Sequence, residues 1–110
     1  MTFERKTANR MLNINKIENQ KTLTIKLEGR LDTTTAPILE EEIENLQDVD
    51  MLIFDFENLE YISSAGLRLL LLSQKKMIKS GGGMKVTHTN EMVDEIFDVT
   101  GFSDILTIEK

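Results

Sequence analysis

Two adjacent serines, Ser63 and Ser64, are the residues whose type and position most clearly suggest chemistry. They follow an apolar run at residues 51–54 and precede a leucine-rich segment, so they lie where a helix begins. A serine in the first turn of a helix is exposed, and the backbone N–H groups beside it are unpaired. A phosphate there adds a charge of about −1.5 to −2 and is favoured by the helix dipole. The alternative is that both serines only cap the helix and that Gly66 only allows close packing.

The other candidates for catalysis do not fit a known pattern. Ile62 stands two places before Ser64, where the nucleophile elbow of a serine hydrolase requires glycine. Residues 81–83 are glycines without a following Lys-Ser/Thr, so they predict a helix end and not a phosphate-binding loop. His88, the only histidine, is expected to be solvated or lightly packed, and no His/Asp/Glu cluster has the spacing of metal ligands. We therefore predict no catalytic residue, no cofactor and no metal.

The composition narrows the class of partner. A net charge of −6 argues against DNA, RNA and anionic membrane surfaces, whereas a basic partner protein is compatible with it. Because the chain has no cysteine, disulfides and cysteine nucleophiles are excluded, and a reducing compartment suits it. The N-terminus lacks the apolar core of a signal peptide, and no apolar run approaches the ~20 residues of a membrane span. We expect a cytoplasmic protein that does not bind membranes.

Hydrophobic spacing indicates the elements that must position the two serines. Alternating apolar residues predict strands near residues 12–17 and 22–27, and the continuous run at residues 51–54 predicts a buried central strand. Helical spacing begins after a Thr34 or Thr35 cap and again at Ser63 or Ser64. The expected inner stripe of the second helix is Leu67, Leu70, Leu71 and Ile78. The strands on either side of the first helix should be parallel, because a βαβ crossover joins them.

The whole pattern predicts one α/β domain. The order is ββαβαβα with a possible last strand, which implies a mixed sheet of four to five strands with helices packed mainly on one face. A chain of 110 residues suits one such domain. We place this domain at residues 11–110 and expect the polar, aperiodic residues 1–10 to be flexible.

Two segments resemble the signature of a known family. Residues 61–67 (YISSAGL) before a leucine-rich helix, and residues 27–32 (LEGRLD) before a Thr-rich loop, are similar to the two motifs of STAS domains. The resemblance is specifically to the bacterial anti-sigma factor antagonists, and it runs from about Leu12 to Ile108. The combination of both motifs at this separation is more specific than either motif alone.

The resemblance implies a phosphorylation-controlled binding module and not an enzyme. In that family a serine is phosphorylated by a partner kinase that is also the anti-sigma factor, and a PP2C-type phosphatase resets it. Carried over to this sequence, the phospho-acceptor is Ser64, and Asp32 is the loop acid near it. Asp32 can equally be a turn-capping residue, and both roles can hold. The implied partner-binding residues come from both motifs: Asp32, Thr33, Thr34, Ser63, Ser64, Gly66 and Arg68.

Two positions depart from the family pattern. Many antagonists have Asp where this chain has Ser63, and Ser or Thr where it has Ala65. Ser63 is therefore a second possible acceptor, although Ser64 is favoured. The departures also leave open a second role, a non-phosphorylated STAS subunit of a transporter or sensory signalling complex.

Overall fold

The computed structural model describes residues 2–7 and 11–109 as one layered α/β domain. Three consecutive strands are followed by alternating helices and strands, and a short 3-10 turn precedes the last strand. The strands are β1 (Thr2–Thr7), β2 (Leu12–Asn19), β3 (Thr22–Leu31), β4 (Met51–Ile62), β5 (Gly83–Thr87) and β6 (Ile108–Glu109). The helices are α1 (Ala36–Glu44), α2 (Ser64–Lys79) and α3 (Glu91–Thr100), and the 3-10 turn is Phe102–Asp104.

All six strands form one mixed sheet in the order β1-β2-β3-β4-β5-β6. The first two neighbouring pairs are antiparallel, and the other three are parallel. The predicted parallel pairing of β3 with β4 across α1 is confirmed. The predicted α/β class is also confirmed, but the strand count is six and not four to five. The two-residue β6 is the possible last strand, and β1 is the additional strand at the other edge of the sheet.

The first residues differ from the expectation of a flexible segment over residues 1–10. Thr2–Thr7 is instead strand β1, antiparallel to β2 and starting with Thr2 opposite Asn19. A polar, aperiodic strand is possible here because an edge strand needs only one backbone partner and little apolar burial. Residues 1 and 8–10 of the expected segment lie outside the described residues.

The apolar core lies between one face of the sheet and the helices. Along β3 the residues that point toward this side, such as Leu23, Ile25 and Leu27, are buried, whereas Thr24 and Lys26, which alternate with them, are not. The buried residues of all three helices belong to the same apolar cluster as these strand residues. The prediction of helices on mainly one face is therefore confirmed.

Strand β4 is longer and more irregular than residues 51–54 predicted. It continues to Ile62, and its register with β3 shifts twice, between Lys26 and Glu28 and again between Gly29 and Arg30. Such bulges redirect side chains near the end of a strand. No helix among the described residues is long and apolar enough to cross a membrane.

Candidate functional site

The ends of β3 and β4 bring the two predicted motifs together. Leu31 and Ile62 pair at the end of the parallel ladder, and the backbone N–H of Ser63 donates to the carbonyl of Leu31 over 2.9 Å. Because parallel strands end at the same edge of a sheet, the loop after Leu31 and the start of α2 leave the sheet side by side. The sequence motifs at residues 27–32 and 61–67 thus form one surface region.

The two serines have different environments at the start of α2. Ser63 is the N-cap residue in extended conformation, and its hydroxyl accepts from the backbone N–H of Gly66 over 3.5 Å. Its carbonyl accepts from the N–H of Leu67, which begins the helical pattern. Ser64 is the first residue of the helix and is exposed. The position of Ser64 agrees with the predicted uncovered hydroxyl, whereas Ser63 is half-buried and occupied by capping.

Gly66 is buried and holds α2 close to the sheet. A Cβ atom at this position would lie 2.8 Å from Cγ1 of Ile62 and 2.9 Å from Cγ of Leu31, which is closer than side chains tolerate. The packing role considered for Gly66 is therefore present, and its contact with a partner stays a prediction. The glycine allows the first turn of α2, and with it Ser64, to sit directly above the ends of β3 and β4.

Asp32 organises the loop between β3 and α1. Its Oδ1 accepts from the hydroxyl of Thr34 at 2.7 Å and from the backbone N–H groups of Thr34 and Thr35 at 3.0 and 3.2 Å. The buried Thr35 hydroxyl donates to the carbonyl of Arg30 and accepts from the N–H of Asp32. The capping role considered for Asp32 is therefore present in the structure, and it fixes the conformation of the exposed Thr33 and Thr34.

The same contacts affect the charge of Asp32. The hydrogen bond from the Thr34 hydroxyl, helped by the backbone N–H groups of Thr34 and Thr35, holds the pKa of this carboxyl below its ordinary value of 3.8. Arg30 Nε lies 3.7 Å from Asp32 Oδ2, and the Arg30 guanidinium also stacks over the Tyr61 ring at 4.4 Å. The loop thus presents a fixed negative charge beside a positive one.

A shallow cleft between α1 and α2 lies next to Ser64. Its rim and floor combine apolar side chains with one charge of each sign: Thr33, Ala36, Pro37, Glu40, Ala65, Arg68, Leu69 and Leu72. Leu72 is 47% exposed although it is a large apolar residue. Thr33 and Arg68, two of the predicted partner-binding residues, therefore line one cleft, whereas the sequence alone gave no indication of Leu72 or Pro37 as surface residues of the site.

A second group of side chains was missed by sequence reasoning. Asp55 on β4, Glu57 two residues later and His88 after β5 have potential ligand atoms that all lie within 4.8 Å of one another. The expectation that no His/Asp/Glu cluster has the spacing of metal ligands concerned spacing along the chain, whereas this group forms in space. Sequence spacing could not reveal it, because His88 lies far along the chain and is brought to Asp55 only by the pairing of β4 with β5.

Comparison with known proteins identifies the family. The STAS domain model matches residues 13–110, so the chain belongs to the STAS domain family. The anti-sigma-B factor antagonist of Bacillus subtilis is 29% identical over 99 residues, which is 88% of this chain and 90% of that protein.

Solved structures have the same fold. An anti-sigma factor antagonist from Mycobacterium paratuberculosis superposes with a TM-score of 0.80 at 21% identity, covering 93% of this chain and 88% of that one. The Bacillus cell fate determinant SpoIIAA, solved in its phosphorylated form, gives a TM-score of 0.68 at 17% identity, covering 98% and 92%.

Proposed function

We propose that this protein is an anti-sigma factor antagonist that binds an anti-sigma factor with serine kinase activity and is switched off by phosphorylation of Ser64. The observation that carries the proposal is the exposed Ser64 hydroxyl at the first residue of α2, beside the cleft between α1 and α2. In this role the protein regulates transcription by competing for the anti-sigma factor, and it performs no catalysis itself. Its proposed location is the cytoplasm, without membrane or nucleic-acid contact.

The geometry favours Ser64 over Ser63 as the acceptor. Ser63 is half-buried and its hydroxyl is engaged with the Gly66 N–H, so it is less accessible to a kinase than the exposed Ser64. Ser64 carries no capping role, and a phosphate at the first helical residue is favoured by the dipole and the free N–H groups of the first turn. Arg68, four residues later on the same helix, is exposed and can approach the phosphate from the following turn.

The cleft explains how a phosphate can release a partner. The expected contact surface joins the loop at residues 32–36, Ser64 and the exposed side of α2, where Leu72 lies at the cleft. A phosphate on Ser64 would lie at the edge of this contact. It must either lose its hydration when the partner binds or keep the two protein surfaces apart, and both effects weaken binding. We propose that a PP2C-type phosphatase removes the phosphate. Its removal restores the contact surface.

Incubation with the cognate anti-sigma factor kinase and ATP, followed by peptide mass mapping of residues 61–68, tests the proposal. We expect one phosphate, located on Ser64, with Ser64→Ala unlabelled and Ser63→Ala still labelled. Labelling that persists in Ser64→Ala and disappears in Ser63→Ala would move the acceptor to Ser63. Binding of the kinase without any labelling would contradict the switch and support the alternative, a constitutive subunit of a transporter or sensory complex.

A further inference from the structure

Strand β5 ends beside the middle of β4, and His88 follows the carboxyl end of β5. Asp55 pairs in register with Thr87, the last residue of β5, and His88 follows immediately. Glu57 comes two residues after Asp55, where the ladder between β3 and β4 shifts register. Ligands of α/β sheets bind preferentially at this edge of the strands.

Asp55 is a buried carboxylate whose neighbours leave its charge poorly balanced. Its residue is only 8% exposed, Oδ1 accepts from the backbone N–H of Glu57 over 3.0 Å, and Oδ2 lies 3.3 Å from Nδ1 of His88. Within residues 2–7 and 11–109, no Lys or Arg nitrogen forms an ion pair with it. A buried carboxylate without a cation is costly, so this position favours a positively charged partner.

We propose that Asp55, Glu57 and His88 form a binding site for a divalent transition-metal ion of the Zn²⁺ type. Zn²⁺ bonds to histidine nitrogen and carboxylate oxygen are about 2.0–2.2 Å, so two ligand atoms on a tetrahedral ion lie about 3.3 Å apart. The separation of 3.3 Å between His88 Nδ1 and Asp55 Oδ2 already has this value. The carboxylate of Glu57 lies within 4.8 Å of both, and this exposed side chain can rotate to complete the set.

The donor set also selects the class of ion. One imidazole and two carboxylates suit borderline ions such as Zn²⁺, whereas Mg²⁺ and Ca²⁺ take oxygen ligands alone. The hydrogen bond from the Glu57 N–H to Asp55 orients the buried ligand in the way that outer contacts orient metal ligands. Three protein ligands leave one tetrahedral position for water.

The composition of the chain makes the site easy to test. His88 is the only histidine and there is no cysteine, so the imidazole signals of the protein report on this site alone. Tag-free protein is titrated with Zn²⁺ while the His88 ring resonances are followed by NMR. We expect a saturable shift that fits one site, and no such shift with Mg²⁺ at the same concentration. Unmoved His88 resonances at millimolar Zn²⁺, or an equal response to Mg²⁺, would overturn the proposal.

Variants separate a three-ligand site from a single surface imidazole. Glu57→Gln and Asp55→Asn should each weaken Zn²⁺ binding by at least about tenfold. Glu95→Gln, an exposed change on α3, should leave binding unchanged. If both ligand variants bind Zn²⁺ as tightly as the unmodified protein, His88 acts alone and the site is refuted. Glu57 is exposed, so Glu57→Gln decides the question even if Asp55→Asn fails to fold.

Discussion

At the scale of single residues, neighbouring side chains of similar type have different tasks. Ser63 caps a helix while Ser64 is exposed, and the Asp32 carboxylate accepts hydrogen bonds from the backbone N–H groups and hydroxyls of Thr34 and Thr35. The sequence predicted the exposed position of Ser64 and a turn at Asp32, because caps and turns depend on local residue types. The sequence could not predict which serine hydroxyl forms the capping hydrogen bond, because this depends on the backbone conformation of the first turn of α2.

The Thr34 hydroxyl is expected to control the ionisation of Asp32. Thr34→Val removes the side-chain donor while keeping the shape, so the pKa of Asp32 should rise toward 3.8. Because the folded-state pKa of Asp32 lies below its unfolded value, the charged carboxylate stabilises the fold at any pH above the unfolded pKa. This stabilisation is lost as the pH falls from the unfolded pKa through the folded pKa; in Thr34→Val it should be smaller, and its loss should be complete at a higher pH. Carboxyl NMR during an acid titration measures both proteins, and an unchanged Asp32 pKa would contradict the assignment.

At the scale of elements, the sequence indicated helix α2 but not which of its residues face the core. Leu67, Leu70, Leu71 and Ile78 were the expected inner residues, yet Ile78 is 63% exposed while Leu69 and Met77 are buried. The difference arises because α1 packs against one side of α2 and covers Leu69, so the buried stripe is wider and shifted. Leucine-rich helices carry more apolar residues than one face needs, and periodicity alone cannot choose among them. The group of Asp55 and His88 was missed for a related reason, because strand pairing and not spacing brings them together.

Gly66→Ala is expected to loosen the contact between α2 and the sheet. The added methyl would meet Ile62 and Leu31 at less than 3.0 Å, and overpacking of this kind costs about 1–3 kcal/mol. The gain in helix propensity from Gly to Ala, about 1 kcal/mol, offsets only part of this cost. Urea unfolding measures the change, with the exposed Leu72→Ala as a control that should shift stability much less. A Gly66→Ala protein as stable as the unmodified one would contradict the packing role.

At the scale of the whole molecule, substitutions at the site should be able to change partner binding without changing the fold. The core lies between the sheet and the helices, whereas Ser64, Thr33, Arg68 and Leu72 are exposed. Both the family and the α/β class followed from the sequence, because two motifs and the alternation of strands and helices span nearly the whole chain. The sixth strand did not follow, since a polar edge strand has no hydrophobic pattern to detect.

Ser64→Asp is expected to change affinity without changing the fold. Negative charge at the first residue of α2 should alter the unfolding free energy by no more than about 1 kcal/mol, in the stabilising direction. Binding to the anti-sigma factor kinase should weaken by about tenfold or more, while Ser64→Ala should bind like the unmodified protein. Calorimetric titration and urea unfolding of the same samples give both quantities. Equal affinity of Ser64→Asp and the unmodified protein would count against the proposed switch.

At the start of α2, Ser63 caps the helix and Ser64 is exposed, and this difference has a genetic consequence. Loss of the Ser63 hydroxyl weakens the beginning of a helix, so cells should contain less of the protein and the phenotype should be recessive. Under the proposed switch, loss of the Ser64 hydroxyl instead produces normal amounts of a protein that can never be turned off, which is a dominant phenotype. Mutants at two consecutive codons would thus have opposite effects on the regulated genes.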